Sequence, residues 1–245
     1  MMAIAAMASC STHYQVAGVQ RSRIVIDNRY DRQPDAQAAS FLAPYKQQVD
    51  SAMGPTIGYT ARYMSPLRPE GTLSNLLPDI LMWAAKDYGE HPDFGIYNMG
   101  GIRADLPGGA VTYGSVLDVA PFENKIAFVT LTGAEVLDLF AEIAANGGEC
   151  VSHGVNLVIS RQGKLISATL NGEAIDPQRD YRITTIDYLL GGTDRMTTFK
   201  KGRNINSPQE AKNNSRFIIM DYFREKQAKG EIVDSQIEGR IKVED

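Results

Sequence analysis

Apolar positions along this chain recur with two periods, and the places where one gives way to the other outline its elements. "DAQAASFLAPYKQQVDSAM" (35–53) has apolar groups at helical spacing, with Pro44 as a kink or break, and Gly54-Pro55 ends it. "TIGYTARYM" alternates as a strand does. "TLSNLLPDILMWAAKDYG" predicts a helix with Thr72 or Ser74 as cap, Gly89 as stop, and Pro78 in its first turn or bending it. "FGIYNM" reads as a buried strand. "VTYGSVLDVAPFENKIAFVTLTG" predicts loop, short helix, proline-led turn and strand. "TGAE" is a capping box, Thr132 to Glu135, opening a helix through Ala145. "VNLVISRQGKLISATLNGEAI" predicts a hairpin and a second tight turn at Asn171-Gly172. "DYRITTIDYLL" is a strand running toward Gly191 and Gly192. "SPQE" predicts Ser207 at N-cap, Pro208 at N1 and Glu210 at N3 of a last long helix that stops at Gly230. "SRIVIDNRYD" predicts a short strand near the start, and "EGRIKVED" an edge strand or tail at the end. Helices and antiparallel hairpins mix without βαβ regularity, repeats or a low-complexity linker. The pattern predicts an α+β single domain with a mixed or antiparallel sheet and packed helices.

Composition narrows the function classes. The 245 residues are 43% hydrophobic, enough for a substantial core. Net charge is −4 with scattered basic residues, so no nucleic-acid footprint is visible. Two cysteines, Cys10 and Cys150, are too few for a disulfide scaffold or a cysteine-built zinc site. No run is long enough to span a bilayer. The first residues, "MMAIAAMASCSTHYQ", are set apart from the fold. "MASC" resembles a lipoprotein lipobox, in which the cysteine is lipidated, although a basic n-region is missing and the apolar stretch is short. One reading is a lipoprotein signal and tether over 1–22, with Cys10 lipidated and the domain from 23 to 245; the other is a cytosolic tail. The first predicts a periplasmic or outer-membrane lipoprotein, touching the membrane only through its lipid anchor.

Most catalytic constellations are missing. His13, His91 and His153 have no partner at metal-ligand spacing. There is no Gly-x-Ser-x-Gly elbow, P-loop or dinucleotide fingerprint. Cys150 with His153 would form a nucleophilic pair only with a third, orienting group.

Binding features are present. "NMGGIRADLPGG" leaves the buried strand with glycines around Arg103. Such a loop either grips an anion, with bare backbone and a permanent planar cation, or is an ordinary turn. Phe122 follows a proline in "APFENK", and Tyr188 stands six positions before Asp194 in "IDYLLGGTD". Either ring is a core aromatic or a ligand wall. Paired glycines in "NGGECVSHGV" precede another strand.

In order and spacing, these segments resemble the C-terminal, substrate-binding domain of the 5′-nucleotidase family over about residues 35–225. The family pattern runs Asn-x-Gly-Gly-Ile-Arg, Pro-Phe-x-Asn, Leu-Thr-Gly, Gly-Gly, then an aromatic and Gly-Gly-Asp. The resemblance implies that Phe122 and Tyr188 clamp a base, Asp194 holds ribose hydroxyls, Arg103 contacts an anion and Asn98 meets base or phosphate. It implies that Asn124 and Gly148 line the base pocket. Arg68 lies near a family substrate arginine, offset by about one residue. Two departures are Glu123, in place of a glycine, and Arg195, which follows Asp194 where a glycine is expected.

The family's two metal ions, their ligands and the catalytic His-Asp pair belong to an N-terminal calcineurin-like domain whose motifs are not found in residues 1–97. The resemblance therefore implies a nucleotide-binding half of a split 5′-nucleotidase. It would have no cofactor of its own, and divalent metals would reside in a separately encoded metallophosphatase subunit. A stand-alone nucleotide- or nucleoside-binding lipoprotein and a degenerate interaction domain are the alternatives.

Overall fold

Three neighbouring strands decide where the functional loops end up. The computed structural model describes residues 14–32 and 35–245, and Cys10 lies outside them. Contacts divide the chain into a unit through Lys46 and a second from Gln47 to Asp245. In the first, the strand expected in "SRIVIDNRYD" is not formed. Ile24 and Ile26 are 75% and 90% exposed, and no described strand pairs with them, so their alternation has no surface to bury. Helix α1 (Ala36–Met53) runs through Pro44 without a break.

The second unit carries the sheets. Its elements are β1 (Thr56–Thr60), α2 (Thr72–Ala84), β2 (Phe94–Tyr97), β3 (Gly109–Thr112), α3 (Tyr113–Val119), β4 (Ile126–Thr132), α4 (Gly133–Ala145) and β5 (Cys150–Val151). There follow β6 (Val155–Ser160), β7 (Leu165–Leu170), β8 (Glu173–Ala174), β9 (Asp180–Ile186), α5 (Asp187–Leu190), β10 (Arg203–Asn206), α6 (Ser215–Ala228) and β11 (Ile241–Glu244). The central sheet has the order β10-β4-β9-β2-β5 and is mixed: β2 runs parallel to β9, and the other pairs are antiparallel. β1 pairs with β3, and β11-β6-β7-β8 form a third sheet in which β11 is a parallel edge strand. The fold is α+β, with helices packed on mixed and antiparallel sheets.

The buried side chains of β2, β4 and β9 meet those of α2, α4 and α6 in one core that includes Phe94, Phe128, Phe140 and Phe223. The capping box of α4 forms as its residue types dictate. Thr132 Oγ1 accepts from the Glu135 N–H at 3.3 Å, and Glu135 Oε2 accepts from the Thr132 N–H at 2.8 Å.

Three local expectations give way. Helix α2 begins after Gly71, and Ser74 serves from inside it, its Oγ accepting from the Gly71 N–H at 2.8 Å. Pro78 sits in its middle, buried against the sheet, where packing outweighs one lost helical hydrogen bond. "SPQE" does not start α6. The preceding residues pair as β10 against β4, and Asn214 becomes the cap, its side chain accepting from the Arg216 N–H at 3.1 Å. "GAVT", expected as loop, is β3, because β1 needs a partner for its own backbone groups.

Candidate functional site

The register of the central sheet gathers loops that are far apart in sequence. Because β2 and β9 are parallel, their carboxyl ends lie side by side. Ile126 stands opposite Ile186, so the segment entering β4 arrives at that same end. Tyr97 stands opposite Cys150, which adds the turn entering β5. The loops 98–103, 121–125, 146–149 and 187–195 are thereby brought together. Two are stitched directly: Lys125 N–H donates to Asp187 Oδ1 at 3.0 Å, and Asp187 N–H donates to Lys125 O at 2.9 Å.

At this end lies a cavity of about 360 Å³, within the size range of small-molecule sites. Asn98, Arg103, Phe122, Asn124, Tyr188 and Asp194 line it, with Gly100 and Gly101 between them. Phe122 and Tyr188 make no ring contact with each other, and they are 45% and 42% exposed. Neither is a core aromatic.

A small polar network sets the opposite wall. Asn98 is 2% exposed, and its Nδ2 donates to Asp194 Oδ2 at 2.5 Å. Tyr188 OH donates to Asp194 Oδ1 at 3.2 Å. Asn98 Oδ1 is buried and has no partner. Flipping the amide would set that oxygen against the Asp194 carboxylate, so the orientation is fixed, with the oxygen covered by Gly101. The two glycines serve these side chains. A Cβ on Gly101 would collide with Asn98 Oδ1, and one on Gly100 would lie 3.2 Å from Asp194 Oδ2.

Arg103 is the cation of this cavity. Its guanidinium stands 5.8 Å from the Phe122 ring centroid, and its side chain makes one long hydrogen bond, 3.4 Å to Gly100 O. No carboxylate among the described residues pairs with it, and the charge is available to an anion.

Arg68 and Gly148 do not line this cavity. Arg68 Nε donates to the Gly148 carbonyl at 2.7 Å, and Nη2 bonds the Glu149 carboxylate. Gly148 has φ +108°, and a Cβ there would lie 2.6 Å from the Pro69 carbonyl. Gly148 is thus packed against Pro69 and Arg68. Arg68 borders a second cavity of about 390 Å³ with Ala145, Asn146, Glu149 and Arg195, and this cavity shares Gly100 and Asp194 with the first. Glu123 lines neither. Glu149 and Asn146 escaped the sequence reading. Burial pushes the Glu149 carboxyl up, against the Met99 N–H, which donates to it at 2.7 Å, and the charge of Arg68. Asn146 Nδ2 donates to Asp194 O at 2.8 Å and fixes that turn. An acid wedged between a glycine pair and a buried strand, in "NGGEC", was the available signal.

The nucleophile pair left open by the sequence does not assemble. Cys150 Sγ is buried 3.5 Å from Met99 Sδ, and burial pushes its thiol well above its usual value. His153 Nδ1 instead meets Glu238 Oε2 at 2.8 Å. Among the described residues no three His, Cys, Asp or Glu side chains cluster as a metal site.

Loops gathered at one end of the central sheet, converging on a cleft with aromatic walls, an unpaired arginine and a braced carboxylate, define a small-molecule-binding α+β domain. The family described as 5′-nucleotidase, C-terminal domain, matches residues 56–201, and the chain belongs to it. Protein UshA of Escherichia coli K12 is 27% identical over 161 residues, which cover 64% of this chain and 29% of UshA. The trifunctional nucleotide phosphoesterase protein YfkN of Bacillus subtilis is 27% identical over 243 residues, 90% of this chain and 16% of YfkN. Among solved structures, a 5′-nucleotidase precursor from Thermus thermophilus superimposes with a TM-score of 0.72 at 25% identity, covering 87% of this chain and 44% of that one. The chain spans less than a third of the length of these curated relatives.

Proposed function

We propose that residues 47–245 bind a nucleotide and present its phosphate ester for hydrolysis by a metallophosphatase unit on a separate subunit, the arrangement of a split 5′-nucleotidase. The observation that carries this reading is the joining of Phe122, Tyr188, Asp194, Asn98 and Arg103 around one cavity. In the proposed pose the base lies between the two rings, where stacking tolerates any base. The ribose hydroxyls donate to the Asp194 carboxylate, which Asn98 Nδ2 and Tyr188 OH hold in place. Asn124 meets the base edge. Arg103 takes the phosphate, for which a planar cation is suited. This chain's residues bind and orient; hydrolysis is assigned to the partner's metal centre.

The chain is expected to gain thermal stability with nucleotides and nucleosides, because a ligand bound only by the folded state adds about 2.7 kcal/mol at a hundredfold excess over Kd. Assayed alone with divalent metals, it should not turn over nucleotides. Activity should appear on adding the metallophosphatase subunit. No shift across a full nucleoside and nucleotide panel would remove the binding reading. Metal-dependent turnover that survives further purification would remove the split arrangement.

We also propose attachment to a membrane through lipid on Cys10, facing the periplasm or outer surface. "MASC", followed by the polar stretch "STHYQ", motivates it. No described helix is long and apolar enough to cross a membrane. Metabolic labelling with a fatty-acid probe should mark the wild type and not Cys10→Ala; equal labelling of both, or of neither, refutes it.

A further inference from the structure

The second cavity is not used by the proposed binding pose, yet it shares Gly100 and Asp194 with the first. We propose that it is a subsite for a second phosphate carried on the ribose, so that the domain accepts nucleoside 3′,5′-bisphosphates in preference to 5′-monophosphates. This rests on the reading that Asp194 holds the ribose.

The geometry leads there in three steps. Asp194 stands on the boundary of both cavities, so a sugar held by it has one side turned toward the second. A phosphate on one hydroxyl oxygen would cross that boundary, while the neighbouring hydroxyl still donates to Asp194.

On the far side stand two guanidinium groups. Arg68 uses Nε and Nη2 for Gly148 and Glu149, which leaves Nη1 without a hydrogen bond. Arg195 lines the cavity with no hydrogen bond or ion pair to any described residue. The Arg68 and Glu149 charges largely cancel, so Arg195 supplies the uncompensated charge. Guanidinium forks match phosphate oxygens in pairs. Dinucleotide-binding folds solve the same problem alike, with an acidic residue for a free ribose hydroxyl and a nearby arginine for a ribose phosphate.

The backbone adds a further observation. Asp194 and Arg195 have φ +51° and +61°, the left-handed region that favours glycine. Glycine would suit position 195 without steric conflict. An arginine there sets a costly conformation against what its side chain does in the cavity.

Titration calorimetry on the full chain with adenosine 5′-monophosphate and adenosine 3′,5′-bisphosphate tests the subsite. The wild type should bind the bisphosphate about tenfold tighter, as one charge-assisted hydrogen-bonded contact provides. In Arg195→Gly, which suits the local backbone, the two affinities should fall within about twofold of each other, with monophosphate binding unchanged. Arg195→Lys should restore part of the preference. Equal binding of both by the wild type, or a preference that survives Arg195→Gly, overturns the subsite and leaves the nucleotide-binding reading intact. Absence of binding by adenosine and by both nucleotides overturns that reading, and the subsite with it.

Discussion

The double variant Phe122→Ala/Tyr188→Ala should lose nucleoside binding by roughly 2–6 kcal/mol while keeping its fold. Base–aromatic stacking is worth about 1–3 kcal/mol per ring face, and the proposed pose uses both faces of one base. The fold should persist because each ring is nearly half exposed and neither belongs to the buried core. Tyr188 also donates to Asp194, so Tyr188→Phe isolates that contribution: it keeps the stacking face and removes one donor. It should cost far less than Tyr188→Ala. Arg103→Ala should weaken nucleotides at least as much as nucleosides, since its partner is the phosphate. Calorimetry, paired with urea denaturation, decides the matter. Wild-type affinity in the double variant would refute the clamp, and a collapse of stability would mean that the rings belong to the core after all.

Elements with a strong local signature were legible in the sequence. The capping box at Thr132 and Glu135, the hairpin of β6 and β7, and the αL stop at Gly230 are set by nearby residues. Elements that exist only because a distant strand needs them were not. β10 forms because β4 has an open edge, and β3 because β1 has one; neither "RNIN" nor "GAVT" carries an alternating pattern of its own. The failed cap at Ser207 follows from the first of these, since the chain was already committed to pairing. The site divides the same way. Phe122, Tyr188 and Asp194 could be named because their motifs lie in short segments, and antiparallel pairing of β4 with β9 then brought those segments together. Glu149 could not, since its partner Arg68 lies 81 positions away and only the folded chain joins them. The Gly148 carbonyl accepts from Arg68, a contact equally invisible in the sequence.

Arg240 marks the far limit of what the sequence disclosed, and its removal should carry a large stability effect. In "EGRIKVED" it reads as one more charge in a terminal segment. In the fold it is 3% exposed and fully engaged. Its Nη2 and Nη1 donate to Asp79 Oδ2 and Oδ1 at 2.6 and 3.0 Å, Nε to Glu238 Oε2 at 2.9 Å, and Nη1 also to Asn75 O and Val151 O at 3.1 and 2.8 Å. One side chain thus ties the approach to β11 to helix α2 and to β5. Burial works to lower its pKa, but the Asp79 and Glu238 carboxylates hold it above the ordinary value, so it stays charged. Arg240→Ala takes this donor from the Asn75 and Val151 carbonyls and from two carboxylates that are 33% and 39% exposed, and losing two hydrogen bonds to charged groups costs about 3–5 kcal/mol. For a domain of this size each kcal/mol moves Tm by roughly 2–4 °C, which puts the expected drop at roughly 6–20 °C. Arg240→Leu combined with Asp79→Leu removes one ion pair but leaves Glu238 and the Asn75 and Val151 carbonyls without this donor, so it should recover only part of the loss. If Arg240→Ala melts within about 2 °C of the wild type, β11 is held by its ladder with β6 alone, and the arginine is incidental to it.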